Sequence, residues 1–480
     1  MDKLTPKEKD ELLKPYYTDP KTQLIFIIIG SALILITAIL IIIFNVTTTN
    51  KIYENEELLP GYVPLNSITA KYRVEDSSEN ILLFNDSYTN LIHTLRIDGQ
   101  KLENITNEYI FDEPGEHTVK MSFKKALRYS EKLFANCDNL IEVNLTNLTT
   151  ERINSTVDMF NGCINLMNVD LTNFDSTNLK NASSMFYNCS SLPSVDIYGF
   201  DGNELSDISS MFYGCTNLSK INFRNIYGRK IINMSKLFYE CNSLEEVNLY
   251  SFMTYNVKDM SEMFYGCSSL SIIKQYFSTS SVINMSRMFD GCESLQMIDL
   301  GHVNTKNVED FSFMFNDCKS LQYLDINFDA YSANTTYGMF KNCINLKNIS
   351  ISFTNAYNLT DMGEMFNNCT NLTEIDLTDL STDNLTYMNG MFNNCISLQQ
   401  LNMSNFTTSN VEDMSFLLNE CNNLAYLDFS SFDTSKVNQF DNIFNGLPEN
   451  GLILYNSETF NNAILNLLPD SWEKKDIKNE

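Results

Sequence analysis

The chain has 480 residues, with 33 Lys and Arg against 60 Asp and Glu, a net charge of −27 and a pI near 4.4. An apolar share of 43% excludes a chain too polar to bury a core. The negative charge disfavours nucleic acid and anionic lipid headgroups, which both call for a basic face. Three scattered histidines, at 93, 117 and 302, leave little for a His-based metal site or catalytic triad.

Residues 1–23 form a polar tail, and the segment Leu24 to Phe44 follows as 21 uncharged residues without Pro. As a helix rising about 1.5 Å per residue, it is long enough for a hydrocarbon core of about 30 Å. A cleaved signal peptide has a shorter apolar stretch and small residues at its end; here NVTTTNK follows. The segment therefore reads as one uncleaved transmembrane helix. Lys3, Lys7, Lys9, Lys14 and Lys21 precede it, whereas only Lys51 lies in the 20 residues after it. The excess of Lys places the tail in the cytoplasm and the C-terminus outside, at the cell surface or plasma membrane. The tail's five Lys are matched by five acids, so the exterior part holds 28 basic and 55 acidic residues and the whole excess charge. Tyr16 and Tyr17 in KPYYTDP belong to no clear signalling module.

Residues 45–132 read as a linker and a β-rich N-terminal cap. SITAKYRV, TLRIDGQ and YIFDEPGEHTVKMSF are strand-like, with Asp98-Gly99 and Pro114-Gly115 as turn signals. From there to about residue 442 the chain repeats. Cysteines stand at 137, 163, 189, 215, 241, 267, 292, 318, 343, 369, 395 and 421; every gap is 26 residues except 25 at 267–292 and 318–343. A fixed period in this range marks a solenoid. Each unit offers a strand at L-x-x-V-D-L, an Asn/Ser/Thr-rich turn, a second edge at N-V-x-x-M and a short helical or 3₁₀ turn at M-F-x-x-C. About 12 coils of 25–26 residues are expected over 133–442, with parallel strands, and Leu447 stands where a thirteenth Cys would fall. Residues 443–480, which hold the single Trp, Trp472, read as a closing cap.

MFYNCSSLPSVDIYGFD at 185, MFNNCISLQQLNMSNFTTSNVEDMS at 391 and CNNLAYLDFSSFDTSKV at 421 carry a resemblance. They resemble BspA-like leucine-rich-repeat surface proteins, specifically the branch with a lipoprotein-associated MFxxC…DLSxFDTSNVxxM repeat. The terminal LPDSWEKK is similar to that family's ending, so the likeness covers about 133–480. It implies a leucine-rich-repeat-like solenoid at the cell surface, with adhesion among the roles of members, and no catalytic residue. The coils at 263–287, with IIKQYFSTSS, and at 339–364, with ISISFTN, depart from the pattern.

Twelve cysteines in an exterior domain ordinarily suggest disulfides. One per coil at a constant phase instead makes a column of inward thiols. Coils about 4.8 Å apart hold neighbouring Cβ atoms beyond the usual disulfide range of about 3.5–4.5 Å. Structural thiols are expected, and a straight column offers no tetrahedral zinc site.

Two outward rows flank the inward residue of each strand. One is rich in Asp and Asn, from Asn144 and Asp170 to Asn402 and Asp428, and reads as turn-bonding side chains rather than a calcium site. The other is mostly polar but contains Ile272, Met297, Tyr323 and Tyr426, a candidate partner-binding set, with Tyr276 and Phe277 nearby. Local repacking of two irregular coils is the plainer reading of that cluster. Tyr187, Tyr213, Tyr239 and Tyr265 should stack as an aromatic column that stiffens the array. Of about nineteen N-x-[ST] sequons, Asn85, Asn104, Asn181, Asn217, Asn284, Asn371 and Asn405 are candidate glycosylation sites on a eukaryotic secretory route.

No G-x-S-x-G, H-E-x-x-H, phosphate-binding loop or matched Cys-plus-His motif appears, so no enzyme activity and no cofactor are expected. The reading is a single-pass surface protein whose solenoid binds an extracellular protein or glycan. A structural coat protein without a specific ligand is the alternative.

Overall fold

The computed structural model describes residues 66–479 except 198–202, 224–227, 251–252, 275–277, 302 and 378. The expected tail, transmembrane helix and linker, and Tyr276 with Phe277, lie outside the described residues. No helix among the described residues is long and apolar enough to cross a membrane.

The N-terminal cap is antiparallel, as the alternating sequence expects. In SITAKYRV, Ile68, Ala70, Tyr72 and Val74 are buried while the residues between them are at least partly open. Strand Ser67–Val74 pairs with Gly115–Phe123, which pairs with Ile92–Ile97. Asp98 and Gly99 both take positive φ, 49° and 83°, and close the two-residue hairpin to Gln100–Lys101. The other edge of Ser67–Val74 pairs antiparallel with Leu140–Asn144, the first solenoid strand. The cap therefore covers the hydrogen-bonding edge that an uncapped solenoid would leave open.

From there the strands are parallel and in register, one coil on the next. Glu142 pairs with Asn168, Glu246 with Ile272, Tyr323 with Asn348 and Gln400 with Tyr426. A second ladder of eleven single bridges runs from Ser155 to Gln439, at the edge expected from N-V-x-x-M. The coils from Cys137 to Cys421 thus make eleven turns joining twelve Cys positions.

Most strands are three residues long, and the Asp/Asn row shows why. The side chains of Asp170, Asn402 and Asp428 accept from the backbone N–H two residues on, at 3.0 Å, and bend the chain out of the sheet. Where the sequence instead keeps alternating, the strand continues. Tyr323–Asp329 and Asn348–Thr354 pair over seven residues, with Ile326, Phe328, Ile351 and Phe353 buried. The departure at ISISFTN is thus a longer strand rather than a defect.

The M-F-x-x-C corner corrects the expected helical or 3₁₀ turn. Each corner has two left-handed residues, one before Met and one before Cys, as at Ser184 (φ 55°) and Asn188 (φ 56°). Alternate N–H groups of this corner bond to the next coil, as Phe160 N does to Met185 O at 2.9 Å, and those between them bond three residues back within the coil, as Cys163 N does to Phe160 O at 3.0 Å, so no continuous helix forms. Among the described residues helix occurs only at Asp86–Tyr88, Asn462–Leu465 and Ile477–Asn479.

The core is columnar. Eleven phenylalanines from Phe134 to Phe392 stack with ring centroids 5.3–5.6 Å apart and planes within 13°. This offset geometry is favourable for aromatic rings and holds through both 25-residue coils. All twelve cysteines are buried and free. Eleven of them, Cys163 onward, donate Sγ–H to the carbonyl of the Phe one coil before, at 3.0–3.2 Å.

At the C-terminal end Leu452–Tyr455 and Glu473–Asp476 add two further parallel strands. Leu447 packs against the core at the thirteenth Cys position. Trp472 is buried, and its Nε1 donates to Pro448 O at 2.8 Å. The last strand reads Glu-Lys-Lys-Asp, and charge on an outer strand discourages pairing with another chain.

Candidate partner-binding face

On each strand one residue points into the core and its two neighbours point out. Six of the outward Asp and Asn, Asn144, Asp170, Asn248, Asp299, Asn402 and Asp428, accept a backbone N–H of the turns just described. The other outward row is free of that duty, and its large apolar members stand in solvent. Met297 is 76% exposed, Tyr323 56% and Ile272 48%, and Tyr426 is half-buried.

A groove of about 930 Å³ runs over the face from Met297 to Tyr426. Its floor is made by the strand residues of six successive coils, and Asp299, Asp325, Glu374 and Asp376 line it. Met297 and Tyr323, on adjacent coils, share one end of this groove, and Tyr426 lies at the other. Ile272 does not line this groove. Its strand, Ile272–Lys274, pairs backwards with Glu246–Asn248, while the Met297 segment between it and Tyr323–Asp329 forms no regular strand. The four acidic lining residues were not foreseen as members of a site. The available signal was that the Cys+5 and Cys+7 positions of consecutive coils are neighbours on one surface.

On the M-F-x-x-C corner the tyrosine column forms as expected. Tyr187, Tyr213, Tyr239 and Tyr265 stack at 4.4, 4.3 and 4.4 Å with planes within 8°. Burial first, and then the neighbouring phenols, push the Tyr213 and Tyr239 hydroxyls above their ordinary value. The column ends at Asp290, a buried carboxylate held by Arg287 at 2.8 Å and by Asn316 Nδ2 at 2.7 Å. Burial pushes the Asp290 carboxyl up, against the pull of these two partners. Farther on, asparagines replace the rings: Asn419 donates to Asn393 at 2.7 Å and Asn445 to Asn419 at 2.8 Å.

Burial likewise raises every thiol of the cysteine column, Cys421 to about 12, so these groups are neutral donors. Among the described residues no three His, Cys, Asp or Glu side chains come together as a metal site.

Of the candidate glycosylation sites, Asn104, Asn217, Asn371 and Asn405 are exposed. Asn85, Asn181 and Asn284 are half-buried, and their side chains accept from Ser87, Ser183 and Ser286 N–H at 3.0, 2.8 and 2.9 Å.

The repeats match a family model described as "Mycoplasma protein of unknown function, DUF285", over residues 128–243, 232–353 and 334–451. The chain belongs to the DUF285 family. Its repeats are of the BspA-like kind in general. A search of curated proteins returns no match. Among solved structures, the DUF285 chain is similar to TLR13 in a complex with the RNA ssRNA13, at 14% identity over 70% of this chain and TM-score 0.27. It spans half the length of that TLR13 chain. It is also similar to a leucine-rich-repeat protein of Eubacterium ventriosum, at 15% identity, 65% of this chain, 78% of that one and TM-score 0.29. A functional domain of InlJ from Listeria monocytogenes, which includes a cysteine ladder, matches at 12% identity, 65% and 74% coverage and TM-score 0.15.

Proposed function

We propose that this chain is a non-enzymatic binding protein of the cell surface, in the lipoprotein-associated branch of the BspA-like proteins. In this reading the apolar segment 24–44 anchors it, with residues 1–23 in the cytoplasm and the solenoid outside. The groove between Met297 and Tyr426 holds an extracellular protein partner. The observation that carries the reading is that exposed Met297 and Tyr323 line a groove that runs over six successive coils. Neighbouring large apolar side chains exposed on a polar surface mark a candidate partner site, because covering them removes apolar area from water. On a eukaryotic secretory route, the exposed Asn104, Asn217, Asn371 and Asn405 are the sequons open to glycosylation.

The test is binding of the full-length protein to cells and to protein and glycan arrays, with Met297→Ser/Tyr323→Ser beside wild type. Loss of the bound species with an unchanged melting curve supports this face. Ile272→Ser, outside the groove, should leave binding intact. Unchanged binding by the folded double variant removes the proposal, and self-assembly without any ligand favours a coat protein.

A further inference from the structure

We infer that the occupant of this groove is an extended cationic peptide segment that alternates basic and apolar side chains. The inference rests on the reading that this face holds a protein partner, and it names that partner's chemistry. Asp299, Asp325, Glu374 and Asp376 place four carboxylates along the groove, and among the described residues that line it there is no Lys or Arg. A peptide bringing Arg or Lys meets these four carboxylates from the Met297 coil to the Glu374 coil, with Lys475 near Tyr426 marking the end of the acidic stretch, whereas an acidic partner or a second copy of this −27 chain is repelled. The aromatic members add to the same preference. Tyr323 near one end and Tyr426 at the other line the groove, and a tyrosine ring is a surface on which a guanidinium can stack while its stem covers apolar surface. Met297 gives a flexible apolar contact beside Tyr323.

The dimensions set the length of the segment. From the Met297 coil to the Tyr426 coil there are five spacings of about 4.8 Å, about 24 Å in all. An extended chain advancing about 3.3 Å per residue fills this with seven or eight residues. The segment crosses the strands along the solenoid axis, because the groove runs over six successive coils.

The experiment uses the full-length protein and a fluorescein-labelled eight-residue peptide of alternating Arg with Leu or Tyr. Its Glu-for-Arg counterpart and maltohexaose are the comparison ligands. The Arg peptide should bind, with affinity falling about tenfold or more between 50 and 300 mM salt. Asp325→Asn/Glu374→Gln and Tyr323→Ser should each weaken it at least fivefold. Glu309→Gln/Glu412→Gln, at exposed positions beside the second ladder, should leave it unchanged. Equal weakening by both acidic pairs would show attraction to net charge alone and overturns the inference, as does salt-independent binding of maltohexaose at this face. If Met297→Ser/Tyr323→Ser abolishes capture of the cellular partner but the Arg peptide neither binds nor competes, the face stands and its cationic occupant falls. If neither ligand responds to any groove variant, the face itself falls.

Discussion

The thiol of Cys189 lies 3.2 Å from the carbonyl oxygen of Phe160, one coil earlier, and donates to it. That oxygen also accepts the N–H of Cys163, in its own coil, at 3.0 Å. Each Phe carbonyl of the column from Phe134 to Phe392 thus sits in the same two-donor arrangement, and the repeated sulfur joins coil to coil as a neutral hydrogen-bond donor.

This arrangement predicts the reactivity of the thiols. Alkylation of the native protein should be slow at all twelve cysteines, because burial keeps them protonated as well as covered. In denaturant all twelve should react quickly. Replacing one, as in Cys241→Ala, loses a weak hydrogen bond and leaves a small void, at about 1–2 kcal/mol. Rapid labelling of most thiols in the folded protein would contradict the structure.

A second prediction concerns the tyrosine column. Tyr239 has a ring stacked on each side, at 4.3 Å from Tyr213 and 4.4 Å from Tyr265, whereas Tyr187 is stacked on Tyr213. Tyr239→Ala should therefore destabilise more than Tyr187→Ala. A double-mutant cycle on Tyr213 and Tyr239 should return a coupling of about 0.5–1.5 kcal/mol. A coupling near zero in denaturant melts would show that the rings lie together without stabilising the array.

The cysteine spacing made the coil legible, because a buried side chain at one phase forces one turn per repeat. The Asp/Asn row was legible for a similar reason: a short polar side chain bonds its own turn wherever the solenoid bends. The corner was misread as helical because M-F-x-x-C has helix-like spacing. The correcting signal was in the column before Cys, where Asn136, Gly162, Asn188, Gly214, Gly266 and Gly291 share little except tolerance of positive φ. The column before Met carries that signal only in part, at Gly338 and Gly390; Lys236, Glu262, Phe313 and Phe416 are held left-handed by bonds to the adjacent coils, an effect of stacking that no local pattern shows. The groove was half legible, since exposed Met297 and Tyr323 could be picked out but the chain's departure from regular strand beside Ile272 could not.

Two glycines separate backbone conformation from crowding. Gly446 has φ +79°, and a Cβ there would lie 3.0 Å from Glu420 Cα, a backbone atom of the preceding coil. Gly390 has φ +60° with nothing nearer than 3.5 Å. Gly390→Ala should cost about 1 kcal/mol for the left-handed backbone alone, and Gly446→Ala about 2–3 kcal/mol because the coils must also move apart. Equal losses in melting experiments would mean that the stacking distance relaxes freely.

The cap carries a pH-dependent clasp. His117 Nδ1 meets Asp98 Oδ2 at 2.7 Å and its Nε2 meets Glu113 O at 2.9 Å, so both ring nitrogens face acceptors. Burial opposes the charged ring, but these acceptors outweigh it and raise the His117 pKa above its ordinary 6.5. At Asp98 burial acts upward, and the bonds from His117 and Thr118 N–H outweigh it and hold the carboxyl below its ordinary 3.8. The raised imidazole stabilises the fold fully below about pH 6.5 and loses that contribution as pH rises through its folded value. The depressed carboxylate contributes above about pH 3.8 and loses it as pH falls through its own folded value. The clasp is therefore strongest between those limits. Thermal melts of the full-length protein should show wild type losing stability relative to His117→Gln as pH rises from 6 to 8, and Asp98→Asn should remove most of that difference. A His117 ring that titrates below 6.5 in NMR, or a pH profile unchanged by His117→Gln, would show that the clasp does not hold the charged imidazole.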